Sequence, residues 1–281
     1  MTHNTGTSML SLRTQIQEAG AAIEQHIPDR ASIAVVLGSG LGSFTRHLQI
    51  MHRIPYASIP HFPVSTVEGH SGEQILGNIS GKNVWVLSGR FHYYEGYSMQ
   101  EVTFPVRVMK YLGVSHLLLS NAAGGLNPQF KVGDLMVITD HINLQPEHPL
   151  RGKNDDSLGP RFPDMSEPYC QELIAKAFHI AAQRNILLRK GVYVGVQGPS
   201  FETRAEYRFL HRIGGDAVGM STVPETIVAV HMGMKVFAMS VITDIGIREE
   251  NNMISHEEVL AAARASEPTM SSIFIELIKS I

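Results

Sequence analysis

The chain has 281 residues, of which 43% are hydrophobic and 17% charged, with a formal net charge of −3. That length supports one large α/β core, and the mild acidity without basic runs excludes nucleic acid as the main partner. A single cysteine, Cys170, a polar start (MTHNTGTSML) and no run near the ~18 apolar residues of a membrane span predict a soluble, cytoplasmic protein without disulfides or membrane partners.

Residues 1–30 read as an N-terminal tail and helix belonging to the same single domain as residues 31–281. Short β-branched runs at Ile33–Leu37, Val84–Leu87, Leu117–Ser120, Leu135–Ile138, Gly191–Val196 and Val236–Thr243 predict strands. Helical patterns at Val102–Leu112 and Ala205–Ile213 lie between them. The alternation predicts an α/β fold whose central β-sheet is mixed but largely parallel, with flanking helices. Nearly every run ends in small or polar residues, namely GSGLG, SGRFH, SNAAGG, GVQGPS and TDIG. Ligands of open α/β sheets bind at the carboxyl ends of the strands, so these ends are expected to share one pocket. The Pro-, Gly- and Asp-rich stretch Gln145–Met165 is expected to be a surface loop.

The first strand runs into Gly38-Ser39-Gly40-Leu41-Gly42. A dinucleotide fingerprint needs a third glycine where Ser43 stands and an acidic residue ~20 positions on, where the chain reads SIPHF. Two readings remain: a compact anion site to which Ser39 adds a hydroxyl, or a tight turn with no ligand role. Arg90, His92 and Tyr94 follow the second run at spacing two, and in an extended segment they share one face. Arginine offers a fork for phosphate oxygens and histidine a donor that titrates near neutrality; a polar strand end facing solvent is the alternative. In EGHSGE, Glu73 stands where a serine-hydrolase elbow needs glycine, which leaves His70 as a mobile residue over the anion or an ordinary surface histidine.

Three stretches carry helix-start signatures: Thr222 with Glu225 and Pro224, Thr203 with Glu206, and Ser255 with Glu258. They put Ser221, Glu202 and His256 beside helix N-termini, where free N–H groups favour anions. Glu202 is then either a site carboxylate or a group that merely suits the helix dipole. HExxH would need histidine where Leu260 stands, and no metal site is indicated.

The strings VLGSGLG, FPVSTVEGHSGE, GRFHYYEGY, TFPVRVMKYLGV, SNAAGGLN, GDLMVITDHINL, RFPDMS, GPSFET, GDAVGMSTVPE and HEEV occur in this order over residues 33–260. Together they resemble the trimeric, low-molecular-mass class of purine nucleoside phosphorylases. The resemblance implies a nucleoside phosphorylase-type fold, a homotrimer, and reversible phosphorolysis of purine nucleosides with inorganic phosphate as co-substrate and no cofactor. It assigns phosphate to Ser39, His70, Arg90, His92, the backbone N–H of Ala122 and Ser221. It assigns the sugar to Tyr94, Met220 and His256, with Phe162 from a neighbouring subunit. The base falls to Phe201, Glu202, Val218, Gly219, Thr243 and Asp244, with His92, Glu202 and Asp244 as the catalytic set.

One position departs from the pattern. VITDIG carries Asp244 where the inosine- and guanosine-preferring enzymes have asparagine. An ionised aspartate only accepts hydrogen bonds, which suits a 6-amino group; a 6-oxopurine requires it protonated, a state that proximity to Glu202 favours. Methylthioadenosine phosphorylases also carry aspartate here and are the alternative, although His256 suits a 5′-hydroxyl. A phosphate-independent nucleoside hydrolase and a non-catalytic nucleoside-binding protein are the readings from other classes.

Overall fold

The computed structural model describes residues 10–27, 29–64, 72–246 and 254–281. β1 (Ile33–Leu37) is buried at all five residues, as a β-branched run covered on both faces requires. It pairs in parallel with β4 (Lys82–Ser88) on one side and with β5 (His116–Gly125) on the other. β2 (Gln49–Pro55) and β3 (Glu73–Ile79) extend the β4 edge in antiparallel fashion. Neither was expected from the sequence. β2 is an edge strand with no fully buried residue, and the apolar run of β3 is broken by Gly77 and Asn78.

On the other side, β5 pairs with the short β8 (Ala217–Gly219) and with β9 (Lys235–Ile245). β9 also pairs with β6 (Leu135–Asn143), which pairs with β7 (Leu188–Gly195), which returns to β8. Five strands thereby close on themselves at one end of the sheet. Five of the nine pairings among the described residues are parallel, so the sheet is mixed, with the antiparallel pairs at the β2–β3–β4 edge and around the closure.

Six helices flank it: α1 (Leu12–His26), α2 (Met99–Tyr111), α3 (Gln171–Gln183), α4 (Arg204–Arg212), α5 (Val223–His231) and α6 (His256–Ser280). α1 lies on α2 so closely that a Cβ on Gly20 would meet the Tyr111 ring at 2.1 Å. α2 and α4 follow the N-caps Ser98 and Thr203, whose hydroxyls accept from Glu101 and Glu206 amides. The chain between β6 and α3, which contains the predicted 145–165 loop, has no helix or strand. No helix among the described residues is long and apolar enough to cross a membrane.

Two strand ends run further than their apolar runs. SNAAGG belongs to β5 and TDI to β9, because the two pair with each other to their last residues. Between Ala123↔Ile242 and Gly124↔Asp244 the register shifts, which leaves Thr243 as an extra residue. Such a bulge re-aims the side chain that follows it. Here that side chain is Asp244.

Candidate active site

The glycine turn closes through the Leu41 N–H, which donates to Gly38 O (3.1 Å), with Gly40 at φ +76°. A Cβ at Gly38 would lie 2.8 Å from Asn121 Cα and Ser120 O, so glycine lets the end of β1 press against β5. The Gly38 N–H donates to Ser120 Oγ (3.2 Å). Its amide and that of Leu41 are therefore used within the protein, and Ser39 is the residue of the turn that lines the cavity.

Arg90 follows β4 and is buried; its Nε–H donates to Glu225 Oε1 (3.0 Å) and its Nη1–H to Ser120 O (2.8 Å). Glu95 Oε1 accepts from both the backbone N–H (2.8 Å) and the Nδ1–H (2.9 Å) of His92, which fixes the ring. The expected spacing-two face ends there. Tyr94 lies in a single 3₁₀ turn, Tyr93–Glu95, and reaches the same cavity by stacking on His92, with ring centroids 4.7 Å apart. Burial, with Glu95 adding to it, pushes the Tyr94 phenol up to about 12.

Ser221 also faces this end of the cavity. The next residue, Thr222, has φ +69°, a strained backbone for a β-branched residue. Its N–H donates to Glu225 Oε2 (2.9 Å), and its hydroxyl accepts from Asn121 Nδ2 (2.8 Å). Glu225 is thus more than the expected cap of α5. Its two oxygens bind Arg90 and Thr222 together, joining the strand-end cation to the Ser221 turn.

Phe201, Glu202, Val218, Gly219, Met220, Thr243 and Asp244 line the same cavity. Desolvation raises the Glu202 carboxyl above its ordinary value, and Asp244 adds to the rise. The O–H of Tyr207, in α4, lies 3.4 Å from Asp244 Oδ2, and Glu202 lines the same cavity beside it. Burial and the two carboxylates push that phenol well above the tyrosine range. The Thr243 hydroxyl lies 3.2 Å from Asp244 Oδ1 and 3.3 Å from Ala123 O. His256, at the start of α6, completes the wall with Val259.

The cavity opens to solvent, and about 700 Å³ of space, solvent at its mouth included, lies between its walls. Fourteen side chains or backbone positions proposed from the sequence line it. His70 lies outside the described residues. Phe162 is 86% exposed, with Arg161 5.8 Å from its ring centroid, and does not line the cavity of its own chain.

Sequence reasoning missed Asn121, Ala123, Gly124, Tyr207 and Val259. For Tyr207 a signal existed: it and Leu210 are three apart and are the two buried residues of α4, in an otherwise charged RAEYRFLHR. Among the described residues no group of three or more His, Cys, Asp or Glu is disposed to hold a metal ion.

The sequence model of the Phosphorylase superfamily matches residues 32–279. The chain is 48% identical over 270 residues to Purine nucleoside phosphorylase 1 of Bacillus subtilis (strain 168), covering 96% of this chain and 98% of that protein. To the Purine nucleoside phosphorylase of Mus musculus it is 48% identical over 266 residues, covering 92% and 91% of the two. The crystal structure of Schistosoma mansoni purine nucleoside phosphorylase in complex with adenosine is similar at a TM-score of 0.91 and 40% identity, over 95% of this chain and 97% of that one. A schistosoma purine nucleoside phosphorylase structure with hypoxanthine gives the same TM-score, 0.91.

Proposed function

The chain belongs to the phosphorylase superfamily, and we propose that it catalyses reversible phosphorolysis of purine ribo- and 2′-deoxyribonucleosides, giving free purine and (2-deoxy)ribose 1-phosphate. One observation carries this reading: a single cavity is lined by a buried arginine, by hydroxyl donors and by two carboxyl groups.

Inorganic phosphate, the co-substrate, is held by Ser39, Arg90, His92, Ser221 and the backbone N–H of Ala122, together with His70. Glu225 orients the Arg90 fork from behind. Tyr94, Met220 and His256 meet the sugar, and Phe201, Val218, Gly219 and Thr243 enclose the base. A phosphate oxygen attacks C1′ while the C1′–N9 bond breaks and its electrons enter the purine. The phosphate dianion stabilises the oxocarbenium character of the sugar, so no side-chain nucleophile is needed. Glu202 and Asp244 stabilise the departing base, an electrostatic contribution of roughly 3–4 kcal/mol per well-placed donor.

The protein works as a homotrimer in the cytoplasm and needs no organic cofactor. The exposed Phe162 supports the trimer, since its ring is available to the sugar pocket of a neighbouring subunit. The lone cysteine supports the compartment. Residues 31–281 form the catalytic domain, to which residues 1–30 are joined.

The test is incubation of inosine, guanosine and adenosine with and without phosphate, following free base and ribose 1-phosphate. Base release that requires phosphate and yields ribose 1-phosphate in equal amount is expected. Release without phosphate indicates a hydrolase, and binding without release indicates a non-catalytic protein.

A further inference from the structure

Tyr207 presents one phenolic proton to two carboxyl groups. Its O–H lies 3.4 Å from Asp244 Oδ2, and Glu202 lines the same cavity wall close enough to act on the phenol. The ring cannot swing to favour one of them. It is 3% exposed, packed with Leu126, Leu210 and Val218, and a Cβ on Gly246 would stand 2.1 Å from it. One O–H satisfies one ionised carboxylate; the second carboxyl group completes the chain only by carrying a proton and donating it to the phenol oxygen. The bridged set therefore favours a state with one carboxyl proton shared over three residues. Among the described residues, Glu206 on α4, Thr243 on β9 and His256 on α6 are polar or titratable groups near it.

The two purine classes need that proton at opposite ends. A 6-oxopurine has N1–H as a donor and O6 and N7 as acceptors, which match ionised Glu202 and protonated Asp244. A 6-aminopurine has N1 as an acceptor and the N6 hydrogens as donors, which match protonated Glu202 and ionised Asp244. We propose that Tyr207 is a positioning residue that relays one shared proton between Asp244 and Glu202, so that a single pocket accepts both 6-oxo- and 6-aminopurines. Asp244 gives its proton to the Tyr207 oxygen as Tyr207 gives its own to Glu202. One O–H bond breaks and one forms at each end, and the charge of the set is unchanged. This inference rests on the proposed phosphorolysis and on the base lying between the two carboxyl groups.

The test compares the wild type with Tyr207→Phe, which keeps the buried ring, in kcat/KM for inosine and adenosine from pH 5.5 to 9 at saturating phosphate. The wild type is expected to cleave both, with the same alkaline midpoint, because the same proton is lost in each case. In Tyr207→Phe both midpoints move to lower pH by about one unit, a roughly tenfold loss on the alkaline limb. The singly protonated pair loses two hydrogen bonds to the phenol and the doubly ionised pair only one. Calorimetric binding of hypoxanthine and adenine at pH 8.5, in buffers of different ionisation enthalpy, reads the proton without turnover. Equal uptake with both bases is expected in the wild type and larger uptake in the variant.

Asp244→Asn supplies a fixed donor and so abolishes the alkaline fall for inosine while adenosine activity drops. Midpoints unmoved in Tyr207→Phe, a uniform loss at every pH, or a wild type inert towards adenosine overturns the proposal. Absence of phosphate-dependent release from any purine nucleoside overturns the proposed function instead.

Discussion

Gly124 and Asp244 stand opposite one another across β5 and β9 at the register shift, and a Cβ on Gly124 would lie 3.1 Å from Asp244 Oδ2. The missing side chain is what leaves room for the carboxyl group that the bulge turns into the cavity.

Gly124→Ala forces the Asp244 carboxyl group to move by a few tenths of an ångström while Thr243 and Tyr207 hold it. A displacement of that size is expected to change the adenosine-to-inosine ratio of kcat/KM by about 3- to 10-fold. Thermal stability should change little, since no backbone atom blocks the new methyl within 3.4 Å. A ratio equal to that of the wild type shows that Asp244 has slack and does not read the base edge.

Arg90 and Glu225 form an ion pair that is 3% and 4% exposed. Glu225→Ala leaves the guanidinium buried without its carboxylate and frees the Thr222 N–H. A loss of about 3–5 kcal/mol in urea unfolding is expected, with the phosphate KM rising more than the nucleoside KM. A loss below ~1 kcal/mol indicates that the arginine relaxes to solvent.

Glu202 sets a pH dependence of stability. Its carboxyl is raised above 4.5, chiefly by desolvation. Between that value and the raised one, the folded protein holds a proton that the unfolded chain has released, so stability falls as pH rises through the window. Glu202→Gln removes this contribution. The difference in unfolding free energy between wild type and variant, followed from pH 4 to 8 without ligand, should shift in favour of the variant as pH rises. A difference that stays flat refutes the assignment.

Phe162→Ala tests the proposed sharing of the site between subunits. The side chain is 86% exposed, so the substitution should change the unfolding free energy of an isolated chain by no more than about 0.5 kcal/mol. In the assembled protein the nucleoside KM is expected to rise several-fold, with the phosphate KM nearly constant. An unchanged nucleoside KM in a protein shown by sedimentation to be trimeric removes Phe162 from the site.

Much of this architecture was legible in advance where the deciding forces are local or one-dimensional. β1 matches its predicted run residue for residue, because a strand buried on both faces must be apolar throughout. The caps at Thr203 and Ser255 formed as expected, since the donor and acceptor lie three residues apart. β2 and β8 were invisible: one is an edge strand without a buried stripe, and the other is three residues long.

Composition and strand runs predicted the fold class and the strand-end location of the pocket, because both are written in spacing along one chain; most of the residues that line it were implied by the resemblance to purine nucleoside phosphorylases. The electrostatic wiring came from packing between distant segments. Glu225 meets Arg90 across 135 residues, Asn121 meets Thr222 across 101, and Tyr207 meets Asp244 across 37. No local propensity encodes those encounters. They exist because β5, β8, β7, β6 and β9 close on themselves and because one extra residue, Thr243, turns the carboxyl group of Asp244 towards the phenol of Tyr207.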